Sequence, residues 1–270
     1  MNKETLKKIF LPLIVLVLII QVWIGVAAVV EDFPTPSSTY TAAFGGVNAD
    51  GDDIEGSLAD PFYIENQDDK GVFWQIMASL QRVFGGFALA IIVGVPVGLF
   101  IGMSKNAQYA LDPFIQIFKP VSPLAWLPLL LFIFKDINAT AISTIFITSI
   151  WPIIINTALG VRSVNEDYMN VAKVLRFTAF EKVMQIILPV AVPFIFTGMR
   201  LSLGIAWLVI VAAEMLTGGI GIGFWIWDEY NNLNYENIII GIILVGFVGF
   251  LLDLVMGKIA DYFDYTKKGR

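Results

Sequence analysis

The chain contains no cysteine and no histidine, and charged residues make up only 15% of its 270 residues. Without thiol groups it can form no disulfide bond and offers no thiolate nucleophile. Because it also lacks imidazole ligands, the composition argues against a zinc or haem enzyme, and neither a metal site nor catalytic residues are expected. A soluble domain carries about 25% charged residues, so the shortage of charge argues against a soluble protein.

Hydrophobic residues make up 57% of the chain and are gathered in long runs. A run of roughly 20 apolar residues crosses a bilayer core of about 30 Å as a helix. The first run follows Lys3, Lys7 and Lys8 and is too long for the apolar part of a signal peptide, so we interpret it as a membrane anchor. The sequence therefore predicts an all-α transmembrane protein with about six spanning helices, at residues 9–30, 80–103, 114–134, 138–160, 189–213 and 238–257.

The distribution of charge predicts the orientation of these spans. Residues 31–69 contain ten acidic residues, residues 214–237 contain four, and neither segment contains Lys or Arg. Positive charge is concentrated in the N-terminal tail, the loop before Pro189 and the C-terminal tail, and loops rich in Lys and Arg stay in the cytoplasm. Both termini are therefore predicted to be cytoplasmic and both acidic segments external, with Lys70 and Lys135 as outward exceptions.

This pattern divides the chain into four parts. Residues 1–30 are predicted to be a cytoplasmic tail and anchor helix, and residues 31–71 an acidic external loop with little structure. Residues 72–257 form the core of spanning helices, which includes a cytoplasmic loop at 162–188. Residues 258–270 form a second cytoplasmic tail.

Small residues recur at every fourth position of the second span, at Gly86, Ala90, Gly94, Gly98 and Gly102. Residues four apart lie on one face of a helix, and small side chains allow the backbone of a second helix to come close. The stripe therefore predicts tight packing of this span against another one.

Polar residues within the spans are candidates to line a path for a solute. Thr140, Thr144, Thr148, Pro152 and Asn156 form a stripe on the fourth span; they either bind a permeating solute or bond to carbonyl groups of their own helix. Arg200 lies near the middle of the fifth span, where a charge costs roughly 2.5–3.5 kcal/mol, so it needs a partner or a wet cavity. It either favours an anionic solute or fixes helices in place. The candidate path residues are Trp126, Thr144, Thr148, Asn156, Arg200 and Trp207.

The loop before Pro189 is unusually long and patterned. Val164, Tyr168, Val171 and Leu175 follow helical spacing, which predicts an amphipathic helix. Thr178 and Glu181 have the spacing of a capping box, which predicts the start of a second short helix. Two short helices would form a compact knob suited to a groove on another protein.

The same loop resembles the conserved loop of ABC importer permeases, whose consensus is Glu-Ala-Ala, three residues, Gly, nine residues, Ile-x-Leu-Pro. Here Asn170-Val171-Ala172 and Arg176 stand at the first positions, and Ile186-x-Leu188-Pro189 follows at the expected spacing. Asn-Val-Ala at this place is similar to the nitrate-type branch of the family. Further segments resemble that branch, namely SLQRVFGGFALA, KPVSPLAWLPL, ITSIWPIIINTALGVRSV, PFIFTGMR, WLVIVAAEML and GGIGIGFWIWDEYNN.

The resemblance implies the type I ABC importer (MetI-like) permease fold in the inner membrane of a prokaryote. It implies two permease chains, as a homodimer, with two ATPase subunits that bind ATP and Mg, and an external solute-binding protein. The chain itself is then neither an enzyme nor a nucleic-acid binder, and it carries no cofactor; it also lacks a nucleotide-binding G-x-x-x-x-G-K-[ST] motif. The resemblance implies ATPase coupling by Asp167, Tyr168, Asn170, Val171, Ala172, Leu175, Arg176 and Phe177.

The expected function is inward transport of a small inorganic anion, nitrate or nitrite, by alternating access. The same architecture would serve bicarbonate, cyanate or a sulfonate. A different class, an ion-coupled secondary transporter, usually buries carboxylates inside its spans, and the predicted spans two to five have none in their interiors.

Overall fold

The computed structural model describes residues 3–47, 53–64 and 70–263, most of which lie in helices. Among these residues, five helices are long and apolar enough to cross a membrane, or six if α4 and α5 count as one bent span. This agrees with the predicted all-α membrane architecture. The helices are α1 (Lys3–Ala27), α2 (Pro36–Phe44), α3 (Val72–Met103), α4 (Lys105–Phe118), α5 (Pro123–Phe134), α6 (Ile137–Arg162), α7 (Glu166–Val174), α8 (Ala179–Lys182), α9 (Leu188–Thr217), α10 (Ile222–Asn231) and α11 (Tyr235–Phe263), with a π-helical turn (Val183–Ile187) between α8 and α9.

The third predicted span, 114–134, is broken into two helices. The chain forms α4 and α5, and the two helices are bent by 94° at the break between them. Proline disfavours a helical conformation in the residue before it, and Ser122, before Pro123, is extended with a ψ of 131°. Pro123 then begins α5, where its missing N–H costs no helical hydrogen bond.

Contacts divide the chain into two compact units, Met1–Gln75 with Trp225–Leu244 and Ile76–Phe224 with Val245–Arg270. In the first unit the described part of the acidic segment is more ordered than expected. It contains α2, which Thr35 begins with a capping box to Ser38, and a short antiparallel pair, β1 (Gly46–Val47) and β2 (Asp53–Ile54). The apolar side chains of α1 from Phe10 to Val22 are exposed, as suits a helix surrounded by hydrocarbon.

In the second unit α3 packs closely on α6 through the predicted glycine stripe. A Cβ added to Gly86 would lie 2.6 Å from the Ile145 side chain, and one added to Gly102 would lie 2.5 Å from Val161. Ala90, in the same stripe, is fully buried. The predicted close approach of a second helix is confirmed. α6 also packs extensively on α9.

Gly98→Ala is expected to destabilise the protein by about 1–3 kcal/mol, the usual cost of overpacking. The added Cβ would lie 2.6 Å from Thr157 and 2.8 Å from the backbone oxygen of Ile154, which cannot move aside. Thermal unfolding of the detergent-purified protein measures the effect. Gly204→Ala is the matched control, because a Cβ there meets nothing within 4 Å. Equal unfolding temperatures for the two variants would contradict the packing role.

Candidate functional site

A cavity of about 480 Å³ opens where α4 gives way to α5. The break between the helices and Trp126 form one wall, α6 forms the second, and Leu201 and Ile205 of α9 complete it. The walls are largely apolar and aromatic. The ring of Phe118 stacks on that of Trp151 at a centroid distance of 6.5 Å. The ring centroids of Phe118 and Trp126 are 6.2 Å apart.

The cavity brings together three of the six candidate path residues, Trp126, Thr148 and Asn156. Thr144 lies outside it, fully buried in the core. Trp207 is also buried and donates from its indole N–H to the backbone oxygen of Val245 at 2.9 Å. A role of these residues in translocation remains a prediction.

The polar stripe of α6 is bonded to its own helix, which was one of the two alternatives. The Thr144 hydroxyl donates to the Thr140 oxygen at 2.8 Å, and the Thr148 hydroxyl donates to the Thr144 oxygen at 2.9 Å. The Asn156 amide donates to the Pro152 oxygen at 2.8 Å. An asparagine amide carries a second N–H, so Asn156 keeps a donor beyond this bond.

Lys119 is a cavity residue that the sequence did not single out. It follows the last residue of α4, and among the described residues that line the cavity it is the charged one. The cavity lining contains no carboxylate within the described chain. In the sequence, a lysine beside an apolar run is typical of an ordinary loop residue. Only the bend between α4 and α5 places Lys119 at a cavity.

Arg200 lies away from this cavity and has the partner that its position requires. Its guanidinium donates to both carboxylate oxygens of Asp253 on α11, at 2.6 Å each. The two side chains are about half exposed, at 47% and 53%. The ion pair thus links α9 to α11 and faces the surface of this chain.

A second ion pair is buried where α3 begins and α9 ends. Glu214 is fully buried, and its carboxylate accepts hydrogen bonds from Arg82 at 2.6 Å, from the Ser79 hydroxyl at 2.8 and 2.9 Å, and from the Gly223 N–H at 3.1 Å. Arg82 also donates to the Ile220 oxygen at 2.6 Å and to Asn138 at 2.8 Å. The network therefore fixes the turn at 218–223 to α3, α6 and α9.

One expectation is corrected by this network. Glu214 was placed in the external segment 214–237, but α9 continues to Thr217 and buries it. Glu214 lies in the last turn of α9, so the interiors of the predicted spans two to five still hold no carboxylate. The sequence gives one sign of this ion pair, namely an arginine and a glutamate at the edges of two apolar runs. No short-range spacing relates the two residues.

The loop between α6 and α9 folds as its caps predict. The Asn165 side chain accepts from the Asp167 N–H at 3.0 Å at the start of α7. Thr178 begins α8 with a capping box, in which its N–H donates to Glu181 at 2.7 Å and its hydroxyl accepts from the Glu181 N–H at 3.3 Å. The predicted pair of short helices is confirmed.

Arg176, which stands at the glycine position of the consensus, has a left-handed backbone with a φ of 55°. Next to it the Phe177 N–H donates to the Ala172 oxygen at 2.9 Å, and the Arg176 N–H donates to the Lys173 oxygen at 3.1 Å. This is the Schellman pattern that ends a helix, and it favours glycine at the left-handed residue. The geometry explains the consensus glycine.

Arg176→Gly is expected to stabilise the end of α7 by about 1 kcal/mol, because glycine avoids the steric cost of a left-handed residue. Hydrogen exchange at the amides of Arg176 and Phe177 measures this, and slower exchange is expected in Arg176→Gly. Arg176→Ala removes the same charge but keeps the Cβ, so it should show no such slowing. Equal rates of hydrogen exchange in the two variants would contradict a steric cost of the left-handed backbone at Arg176.

The predicted ATPase contacts are exposed or partly exposed on the loop, with one exception. Tyr168, Val171 and Leu175 are 55–60% exposed, and Asp167, Asn170 and Arg176 are exposed as well. Phe177 is partly exposed, whereas Ala172 is fully buried and can act only through packing inside the loop. Val174 and Phe180, which were not predicted, are 81% and 69% exposed.

The inner side of the loop is attached to the spanning helices. Val164 and Met169 pack, together with Val183 of the π-helical turn, against a buried cluster that joins the end of α6 to the start of α9. The cluster consists of Val161, Ile187, Ala191 and Ile195. A force on the exposed side of α7 would therefore reach α6 and α9 through close-packed side chains.

Comparison with known proteins places this geometry in a family. Residues 94–267 match the family model described as binding-protein-dependent transport system inner membrane component. The chain is 52% identical over 204 residues to a nitrate import permease protein of Leptolyngbya laminosa, covering 76% of this chain and 73% of that protein. It is 47% identical over 194 residues to a bicarbonate transport system permease protein of Synechococcus elongatus, covering 72% of this chain and 70% of that protein.

The fold is similar to that of solved importers. An inward-facing structure of a methionine ABC transporter aligns with a TM-score of 0.60 and 15% identity, covering 71% of this chain and 95% of that one. An amino acid ABC transporter aligns with a TM-score of 0.56 and 16% identity, covering 70% of this chain and 91% of that one. At these identities the likeness establishes the type I importer permease fold.

Proposed function

This chain belongs to the family of binding-protein-dependent transport system inner membrane components, and we propose that it is the permease subunit of an ATP-driven importer of nitrate or nitrite. The observation that carries the choice of substrate is the 52% identity to a nitrate import permease over 204 residues. The cavity at the α4–α5 break supports an anionic substrate, because its described lining holds Lys119 and no carboxylate.

Bicarbonate is the second candidate, on the strength of the 47% identity to a bicarbonate permease. Both substrates are small, planar, oxygen-rich monoanions, and the cationic cavity suits either one. Ion-coupled secondary transport fits less well. The fully buried carboxylate of the described chain, Glu214, is held by Arg82 and Ser79, whereas a coupling carboxylate has to bind and release its ion.

The proposed assembly contains two copies of this chain, two ATPase subunits that bind ATP and Mg, and a solute-binding protein, all at the inner membrane of a prokaryote. The exposed apolar side chains of α7 and α8 support ATPase docking on the loop between α6 and α9. The charge distribution supports cytoplasmic termini and an external acidic segment.

In the proposed cycle, closure of the ATPase subunits on ATP moves the loop between α6 and α9. The cluster that joins this loop to α6 and α9 passes the displacement to the spanning helices, and the two permease copies alternate between inward-open and outward-open states. Such alternation by rigid-body movement is common among transporters.

Reconstitution tests the proposal. The chain is placed in proteoliposomes with its companion ATPase and binding protein, and ATP-dependent uptake of labelled nitrate and bicarbonate is measured. Nitrate uptake that requires ATP and the binding protein is expected. Uptake of bicarbonate but not of nitrate or nitrite would favour the second candidate. Uptake by the chain alone, driven by an ion gradient, would overturn the importer function.

A further inference from the structure

We propose that Lys119 forms a transient binding site for the translocated anion within the cavity at the α4–α5 break. The inference rests on the proposed function and deepens it, since it names the side chain that selects for negative charge along the path. Its ligand class is a small planar oxyanion, of which nitrate is the example. Thr148 and Asn156 of the α6 stripe line the same cavity as Lys119, whereas Arg200 does not.

The first argument is charge. Lys119 forms no ion pair with any residue in the described part of the chain, unlike Arg82 and Arg200, which both have carboxylate partners. Its positive charge is therefore not neutralised by a carboxylate of the described residues. An anion entering the cavity would meet this charge with no carboxylate from the described lining to repel it.

The second argument is the surroundings of the charge. The walls contain Phe118, Trp126 and Trp151. Lys119 is itself exposed, but apolar walls on one side of a cation lower the local dielectric constant there, so the cation attracts an anion more strongly than in bulk water. Neither indole N–H of Trp126 and Trp151 has an acceptor among the described residues. Asn156 adds a further amide donor. An oxyanion with several acceptor oxygens would thus find both a charge and N–H donors.

The third argument is the break in the helix. A lysine on a continuous spanning helix would face hydrocarbon at a cost of roughly 2.5–3.5 kcal/mol. Here the helix ends at Phe118, the chain bends by 94° before Pro123, and Lys119 lies on the bend itself. Pro120 and Pro123 keep this segment out of a continuous helix, because proline lacks the N–H that a helix interior needs.

Transport measured per ATP tests the inference. In proteoliposomes that hold the permease with its ATPase and binding protein, Lys119→Gln is expected to lower the nitrate imported per ATP hydrolysed by about tenfold, which corresponds to about 1.4 kcal/mol of lost attraction between opposite charges. Lys119→Arg, which keeps the charge, should restore most of the ratio. Lys135→Gln is the matched control, since Lys135 lies at the other end of α5 and does not line the cavity.

The outcomes separate the inference from the function on which it rests. Absence of nitrate uptake by the unaltered chain would overturn the proposed function and this inference with it. Normal nitrate uptake by the unaltered chain, with the same import per ATP in Lys119→Gln, would overturn the inference alone. So would an equal fall in Lys119→Gln and Lys119→Arg, which would assign the lysine a structural role.

Discussion

Arg82→Ala is expected to destabilise the protein by about 3–5 kcal/mol, the usual cost of removing one partner of a buried ion pair. The variant leaves Glu214 fully buried with its charge uncompensated. Ser79 and the Gly223 N–H remain as donors, but two neutral hydrogen bonds do not replace a cation. Arg82 also holds the Ile220 oxygen at 2.6 Å, so the turn at 218–223 should lose order as well.

A double-mutant cycle separates the ion pair from its surroundings. Glu214→Ala should cost about as much as Arg82→Ala, whereas the double variant Arg82→Ala/Glu214→Ala should cost much less than the sum, because no unpaired charge remains. Unfolding in detergent or lipid nanodiscs measures the three free energies. Additive effects, or single variants within about 1 kcal/mol of the original chain, would show that the pair does not hold this region together.

Leu175→Asp is expected to abolish binding of the ATPase subunit while the chain still inserts into the membrane and folds. Leu175 is 60% exposed, so the substitution removes little from the core of this chain. In the proposed complex the same side chain would be buried against the ATPase. A carboxylate without a partner is strongly unfavourable there, and a central interface residue carries 2 kcal/mol or more.

Co-purification of the ATPase with the permease measures this effect. Leu233→Asp is the matched control: Leu233 is 68% exposed and lies between α10 and α11, outside the segment that joins α6 to α9, so this variant should still bind the ATPase. Ala172→Asp offers a contrast, because it places a charge at a fully buried position and should unfold the loop itself. Normal ATPase binding by Leu175→Asp would overturn the assignment of the docking surface.

The predictions from sequence succeeded where a short, regular pattern carries the information. Glycines four residues apart define one face of a helix, whatever lies opposite, and α3 packs on α6 through that face. Capping boxes involve residues three apart, so the start of α8 at Thr178 follows from local chemistry alone. Apolar runs predict spanning helices because each run buries its own backbone hydrogen bonds in lipid.

The sequence predictions failed where two distant parts of the chain meet. Arg82 and Glu214 lie 132 residues apart, and nothing in either neighbourhood names the other as partner. Hydropathy also gives no measure of the angle between α4 and α5, and only the structure shows that they are bent by 94°. Ala172 was placed among the ATPase contacts since the family motif includes it, although packing turns it into the loop.

The sequence by itself determined that this chain is a helical membrane protein with a structured loop before Pro189, since hydropathy, helical spacing and capping all act within a few residues. Only the tertiary structure decided which charges are paired, and therefore that Lys119 stands without a carboxylate partner in the described chain while Arg82 and Arg200 have one. Pairing depends on the distance between side chains from separate helices, and that distance is fixed only when the helices pack.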